Sequence, residues 1–190
     1  MFIEKLPFTV NLNTLQTDLD NIVNTIGWPE KKIEHDGRAY HANQLGLTYR
    51  KGATHPWHDA SGSLYDKDQK HFTGKESDFT EWNNIGNATR LAIEELSNST
   101  GIKFGRCRYM RLMPKTGLSV HPDFECRYHL VFKTNPHAYF LDCEPDGATV
   151  AKAYHIPADG HFYKVDTTRN HTVFNGGWEE RIHLVLAEII

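Results

Sequence analysis

Cysteine is scarce in this sequence, and long hydrophobic segments are absent. The 190 residues include three cysteines, Cys107, Cys126 and Cys143, an odd number without the paired spacing of a structural metal site. We therefore expect ordinary reduced thiols. No apolar run approaches the roughly 18 residues that span a bilayer, and Met1 to Lys5 lack the basic and hydrophobic regions of a secretory signal. These absences predict a cytoplasmic protein without a membrane segment.

The chain also lacks an excess of basic charge. Lysine and arginine total 21 against 24 aspartates and glutamates, which gives a formal net charge of -3 at pH 7. Proteins that bind nucleic acids usually carry a basic patch that neutralises phosphates. We therefore expect neither DNA nor RNA as a partner, and the sequence indicates no oligomeric state.

The composition is that of one globular domain. Hydrophobic residues make up 39% of the chain and aromatic residues 12%. At this length, that is enough to bury one substantial core. Because no linker divides the chain, we expect residues 1–190 to form a single domain.

Short strands are predicted after Gly101. Residues 104–113 alternate in character, and further strand patterns cover residues 126–133, 138–142, 148–156, 161–166, 171–175 and 180–189. Seven or eight short strands joined by turns are typical of a jelly-roll, or double-stranded β-helix. We expect a mainly β fold with flanking helices, in which residues 101–190 form most of a cupin-like barrel core.

The first hundred residues predict helices and loops. One helix begins at Asn13 or Thr14 as its N-cap, carries apolar residues at helical spacing from Leu15 to Ile26, and ends at Gly27. A second helix is predicted over residues 80–98. We expect residues 1–100 to form a helical, loop-rich part packed on the barrel.

A histidine-rich segment, His55-Pro56-Trp57-His58-Asp59, resembles a metal-binding motif. Histidines three residues apart share a face only in a helix, and Pro56 argues against a helix here. We therefore expect a surface loop without metal. Trp57 is expected to have a packing role, with an aromatic wall over a substrate as the alternative.

The main chemical signal is His121-Pro122-Asp123, with His171 fifty residues later. His121 and Asp123 are two residues apart, so on an extended segment they point to the same side. Two histidines and one carboxylate leave three positions open on a six-coordinate Fe(II) ion. The triplet alone is weak evidence, because a chain with twelve histidines is expected to contain such a pattern by chance.

Arg181 strengthens the signal because it follows His171 by ten residues. Asn175-Gly176-Gly177 is a turn sequence, which predicts a hairpin that places His171 about 5 to 8 Å from Arg181. A 2-oxo acid can bind the metal through its keto oxygen and adjacent carboxylate, leaving one position for O₂. Its distal carboxylate then needs a cation, and arginine can hold both carboxylate oxygens.

A second strand repeats this pattern. Arg127-Tyr128-His129-Leu130-Val131-Phe132 resembles Arg181-Ile182-His183-Leu184-Val185-Leu186, with arginine and histidine on one face and apolar residues on the other. Two interpretations remain open. These faces are solvated, or they face a charged ligand or a paired carboxylate inside the barrel. We do not expect His155, His161 or His183 to bind metal.

Residues 106–188 resemble the aspartyl/asparaginyl β-hydroxylase family of 2-oxoglutarate- and Fe(II)-dependent oxygenases, which includes bacterial free-proline hydroxylases. The resemblance is carried by His121-Pro122-Asp123, by Arg127-Tyr128-His129, and by His171 through Arg181 with Ile182-His183-Leu184. It implies that His121, Asp123 and His171 bind iron and form the catalytic centre. It also implies that Arg181 holds the distal carboxylate of 2-oxoglutarate, and that Arg127 and His129 line the same pocket.

The resemblance implies a dioxygenase that uses Fe(II), 2-oxoglutarate and O₂. Its substrate would be an amino acid, or an amino-acid side chain in a peptide, and its co-products succinate and CO₂. The animal aspartyl hydroxylases of the family lack the carboxylate ligand, so the presence of Asp123 argues against carrying over a peptide-aspartate substrate. Two alternatives are a metal-dependent cupin that does not use 2-oxoglutarate and a non-catalytic jelly-roll binding protein.

Overall fold

The computed structural model describes residues 1–35, 38–65, 68 and 70–190, with the backbone alone for 33–35 and 38–39. The chain divides into two compact units. The first unit comprises Met1–Val10 and Arg111–Val185, and the second comprises Asn11–Met110 and Leu186–Ile190. The single domain over residues 1–190, and the packing of residues 1–100 on the barrel, stay predictions.

The described residues form three α-helices and fourteen β-strands. The helices are α1 (Leu12–Ile26), α2 (Pro56–Asp59) and α3 (Asn87–Thr100). The strands are β1 (Ile3–Thr9), β2 (Ile33–His35), β3 (Arg38–Tyr40), β4 (Gln44–Gly46), β5 (Thr48–Tyr49), β6 (Glu81–Trp82), β7 (Phe104–Leu112), β8 (Thr116–Gly117), β9 (Arg127–Lys133), β10 (Ala138–Cys143), β11 (Val150–Tyr154), β12 (His161–Val165), β13 (His171–Asn175) and β14 (Arg181–Glu188). None of the helices in the described part of the chain is long and apolar enough to cross a membrane. The three cysteines are free.

The first unit contains two β-sheets that enclose a core. One sheet includes the neighbouring strands β1-β12-β9-β14, and the other has the order β11-β10-β13-β8. Val131 and Val165 from the first sheet pack in one buried cluster with Phe140 and Val173 from the second. This packing of two sheets around a shared core is the arrangement expected of a jelly-roll.

The predicted strands agree closely with the observed ones. Seven observed strands match the seven predicted ranges: β7, β9, β10, β11, β12, β13 and β14. The sequence did not reveal β1, which pairs with β12, so that Glu4 lies opposite Lys164. β1 contains Pro7 and an irregular register between Lys5 and Thr9, features that sheets tolerate at an edge. Its partner strand, β12, is remote in sequence, so no local sequence pattern predicts that the two strands pair.

The hairpin predicted between His171 and Arg181 is wrong. β13 pairs with β10 and β8, whereas β14 lies beside β9 in the other sheet. The turn signal at Asn175-Gly176-Gly177 is real, but the chain passes there from one sheet to the other. Buried Asn175 stabilises this passage, because its Nδ2 donates to the carbonyl oxygen of Glu179 at 2.8 Å.

The two predicted helices of the second unit are present with shifted beginnings. The N-cap of α1 is Asn11, whose side chain accepts hydrogen bonds from the backbone N–H groups of Asn13 and Thr14. Gly27 ends this helix at φ 77°, as predicted. α3 begins at Asn87, after the predicted start at residue 80, because Glu81–Trp82 is paired as a strand with β5.

The loop predicted at His55-Pro56-Trp57-His58-Asp59 is a single helical turn, α2. Pro56 occupies the first turn, where its missing N–H is not needed, so it does not prevent the helix. Asp59 is buried and pairs with Nη2 of Arg50 at 2.6 Å. A structural ion pair therefore accounts for this carboxylate. The role of Trp57 toward a substrate stays a prediction.

Candidate metal centre

His121, Asp123 and His171 lie together in the first unit. Each offers one ligand atom, and these atoms lie within 4.8 Å of one another. His171 is the first residue of β13, and His121 is joined to it by an isolated β-bridge with N···O distances of 3.0 and 3.1 Å. The bridge places the two imidazoles side by side, with ring centroids 4.6 Å apart.

Backbone carbonyl groups orient both imidazoles. Nδ1 of His121 lies 2.7 Å from the oxygen of Ser119, and Nδ1 of His171 lies 2.9 Å from the oxygen of Arg169. A carbonyl oxygen can only accept, so each Nδ1 carries the hydrogen and each neutral ring keeps a lone pair on Nε2. Metal-binding histidines typically show this second hydrogen bond, which sets the tautomer and ring direction.

Arg127 holds the carboxylate of Asp123. Its Nη2 donates to Oδ1 at 3.2 Å, while Oδ2 lies 4.0 Å from Nε2 of His171. The backbone N–H of Asp123 donates to the oxygen of Thr167 at 2.7 Å. One carboxylate oxygen is therefore held by the protein, and the other faces the imidazole.

The donor set fits Fe(II). Burial is the main reason that the pKa of His171 is lowered, and the neighbouring His121 lowers it further, against the opposing effects of the Arg169 carbonyl and Asp123. The neutral imidazole is the form that binds a metal. Two imidazoles and one carboxylate on adjacent segments match the ligands that non-haem iron oxygenases use.

Arg181 is a buried cation at the start of β14. Its side chain donates from Nη2 to Nδ1 of His183 at 3.0 Å, and its guanidinium lies 5.1 Å from the centre of the Phe140 ring. Among the residues that the structure describes, no carboxylate pairs with it. Burial lowers the pKa of Arg181 to about 9, so the group is still charged at neutral pH. A buried charge without a counterion favours the binding of an anion.

The arginine and histidine faces of β9 and β14 are buried, so the solvated interpretation is wrong. Arg127 is 4% exposed, and His129 and Arg181 are each 5% exposed. The ring of His129 lies 4.8 Å from that of Phe140 and 5.6 Å from that of His183, between ring centroids. These contacts place His129, Phe140, Arg181 and His183 in one buried lining inside the first unit. All six predicted site residues belong to that unit.

Sequence reasoning missed two members of this lining, Phe140 and His183. Phe140 contacts both the guanidinium of Arg181 and the ring of His129. Its only sequence signal is an inward position on a predicted strand, which any core residue shares. His183 had a stronger signal, because it repeats the Arg-x-His pattern of β9 and lies on the same predicted strand face as Arg181, although the pattern did not assign it a separate role.

The profile of the aspartyl/asparaginyl beta-hydroxylase family matches residues 11–188. A comparison with curated protein sequences gives no match. Among solved structures, the chain is similar to an oxidoreductase of the 2OG-Fe(II) oxygenase family from Burkholderia pseudomallei, with 14% identity, a TM-score of 0.57, and coverage of 98% of this chain and 85% of that chain. It is also similar to AviO1 from Streptomyces viridochromogenes Tue57, with 14% identity, a TM-score of 0.52, and coverage of 97% and 89%.

A third similar structure is the viral collagen prolyl hydroxylase vCPH from Paramecium Bursaria Chlorella virus-1, in complex with 2OG. It has 11% identity, a TM-score of 0.50, and coverage of 100% of this chain and 97% of that chain. At such low identities these likenesses show the fold. They confirm the predicted fold class, a mainly β protein with flanking helices and a double-stranded β-helix core.

Proposed function

Since the chain belongs to the aspartyl/asparaginyl β-hydroxylase family of 2-oxoglutarate- and Fe(II)-dependent oxygenases, we propose that it hydroxylates an amino acid or an amino-acid side chain in a peptide. In this proposal His121, Asp123 and His171 hold the iron. Arg181 binds the distal carboxylate of 2-oxoglutarate, and Arg127 and His129 line the co-substrate pocket. Succinate and CO₂ are the co-products.

One observation carries the proposal. A two-histidine, one-carboxylate cluster and a buried guanidinium without a carboxylate partner among the described residues occur in the same unit. A metal site alone would suit many cupin-like proteins. A buried cation adds a specific requirement for an anion, and 2-oxoglutarate has one carboxylate for the metal and a second for Arg181.

Several residues of this chain have separate roles in the proposed site. Arg127 fixes one oxygen of Asp123, and the carbonyl groups of Ser119 and Arg169 orient the two imidazoles. Phe140 covers the guanidinium of Arg181 and keeps water from that side, which strengthens an ionic contact there. When bound, iron supplies the oxidising chemistry, with O₂ and 2-oxoglutarate as its reactants.

The test is an anaerobic titration of Fe(II)-loaded protein with 2-oxoglutarate. Direct chelation of the co-substrate by the iron produces a metal-to-ligand charge-transfer absorption band. We expect this band to saturate for the wild type and to need much more 2-oxoglutarate in Arg181→Gln. Arg90→Gln is the matched control, because Arg90 lies on α3 in an exposed pair with Glu94. A folded, iron-loaded wild type without the band would refute the proposal.

The substrate class requires a second experiment. Free proline, asparagine and aspartate should be screened first for substrate-stimulated formation of succinate, followed by peptides that contain these residues. Stimulation by a free amino acid, together with mass gain of one oxygen in that molecule, supports the proposal. If neither free amino acids nor peptides stimulate succinate formation, the proposed substrate class is refuted. The proposed use of Fe(II) and 2-oxoglutarate is not affected by that result.

A further inference from the structure

His183 is the hydrogen-bond partner of Arg181. The two residues are two apart on β14, so their side chains lie on the same face of the strand. Nη2 of Arg181 lies 3.0 Å from Nδ1 of His183, and His183 is 1% exposed. Arginine has only donors, so Nδ1 must be the acceptor, and the imidazole is neutral with its hydrogen on Nε2.

The surroundings of His183 keep the ring neutral. Burial lowers its pKa well below the ordinary value, and the charge of Arg181 and the neighbouring rings of His129 and His155 lower it further. Nε2 of His183 is buried without a hydrogen-bond partner among the described residues.

The neutral partner of Arg181 contrasts with the carboxylate partners of three other arginines of low exposure. Arg106 pairs with Glu76 at 2.8 Å, Arg50 with Asp59 at 2.6 Å, and Arg127 with Asp123 at 3.2 Å. A carboxylate partner orients a guanidinium and also cancels its charge. The imidazole of His183 gives the same orientation and leaves the charge available.

We propose that His183 is a positioning residue of the co-substrate site, a neutral acceptor that orients the Arg181 guanidinium toward a dianionic ligand without neutralising it. This inference rests on the proposed function of Arg181. It assigns His183 a role in the affinity for 2-oxoglutarate and none in holding iron. It also explains why an imidazole and not a carboxylate lies beside this arginine.

Three variants separate orientation from charge. His183→Asn places a neutral acceptor close to the position of Nδ1, His183→Leu removes the acceptor, and His183→Asp adds a negative charge against the guanidinium. We expect the KM for 2-oxoglutarate to rise about tenfold to a hundredfold in His183→Leu, from the loss of a hydrogen bond to a charged group. The rise should be under about threefold in His183→Asn and should reach that of Arg181→Gln in His183→Asp.

The kcat at saturating 2-oxoglutarate and the bound iron should stay near wild-type values in all three variants. A purely structural role for His183 would instead reduce kcat and would not rank the effects of Asn, Leu and Asp on KM by charge and acceptor. An unchanged KM in both His183→Leu and His183→Asp would overturn the inference. If His183→Leu does not fold, the comparison of His183→Asn with His183→Asp decides, and equal KM values in those two overturn it.

The same measurements distinguish this inference from the function on which it rests. A wild type that shows no charge-transfer band and no 2-oxoglutarate-dependent turnover removes the proposed function. A wild type that binds 2-oxoglutarate, an Arg181→Gln variant that does not, and His183 variants that bind like the wild type together remove only the positioning role.

Discussion

Replacing Arg181 with glutamine should separate stability from co-substrate binding. Burial lowers the pKa of Arg181 from 12.5 to about 9, with no compensating acid. Below both values the group is charged in the folded and the unfolded state, so the shift is a cost to folding throughout the neutral range. At about 1.4 kcal/mol for each pH unit, this cost is on the order of 4 to 5 kcal/mol. Replacement of Arg181 with glutamine removes this free-energy cost of burying a charge.

Two favourable contacts disappear with the guanidinium. The hydrogen bond to His183 involves a charged donor and contributes about 1.5 to 3 kcal/mol. The contact over the ring of Phe140 contributes about 0.5 to 2 kcal/mol. Because these losses are similar to or smaller than the relieved cost, we expect metal-free Arg181→Gln to be within about 1 kcal/mol of the wild type or up to about 3 kcal/mol more stable.

The assay is denaturant unfolding with and without 2-oxoglutarate on Fe(II)-loaded protein under anaerobic conditions, beside the metal-free measurement. A ligand at a hundred times its Kd stabilises the folded state by about 2.7 kcal/mol. We expect that gain for the wild type and little of it for Arg181→Gln at the same concentration. Arg181→Lys is the matched control, because it keeps the charge and loses the planar fork.

Two results would refute the reasoning. A metal-free Arg181→Gln that is several kcal/mol less stable than the wild type would mean that the guanidinium is compensated within the fold. Equal stabilisation of both proteins by 2-oxoglutarate would mean that the ligand does not contact this arginine.

Three further predictions concern the ligands, the buried histidines and the passage between the sheets. Asp123→Ala should lower Fe(II) affinity at least about tenfold, as metal analysis after dialysis will show, and full iron retention would contradict the assignment. Burial lowers the pKa of both His171 and His183 in the folded protein. The unfolded state therefore binds more protons than the folded state below about pH 6.5, the ordinary pKa of histidine. We expect the metal-free protein to lose stability as the pH falls from about 7 to 5. His183→Asn should reduce that slope in unfolding measurements, and a flat profile for the wild type would exclude neutral buried imidazoles. Asn175→Ala should lower the free energy of unfolding by about 2 to 4 kcal/mol, because Nδ2 of Asn175 donates to the carbonyl oxygens of Leu112, Met113 and Glu179. A loss under about 0.5 kcal/mol in denaturant unfolding would show that water replaces these hydrogen bonds.

The grouping of His121, Asp123 and His171 could be predicted because it depends on side-chain types at fixed spacings. His121 and Asp123 are two apart on an extended segment, and His171 opens a strand with clear β-branched and aromatic character. Strand alternation likewise placed Arg127 and His129 on one face. These are local patterns, and the sheets enforce them.

The sheet to which each strand belongs could not be predicted in the same way. Asn175-Gly176-Gly177 has the turn chemistry of a hairpin, yet β13 and β14 lie in different sheets. Turn residues indicate that the chain reverses or bends, but they do not indicate which strand the following segment pairs with. The contacts of the Ser119 and Arg169 carbonyl oxygens with the two imidazoles could not be predicted either, since every residue type supplies the same backbone oxygen.

The two Arg-x-His strands show why partners must be known before roles are assigned. In sequence, Arg127 and Arg181 occupy equivalent positions, and both prove to be buried. Arg127 pairs with the carboxylates of Asp123 and Glu125, so its charge is compensated within the fold. Among the described residues Arg181 has no carboxylate partner and hydrogen-bonds to the neutral imidazole of His183, so its charge is available to a ligand. The same tripeptide pattern therefore carries a compensated charge on one strand and an uncompensated charge on the other, and the charge of the partner decides which.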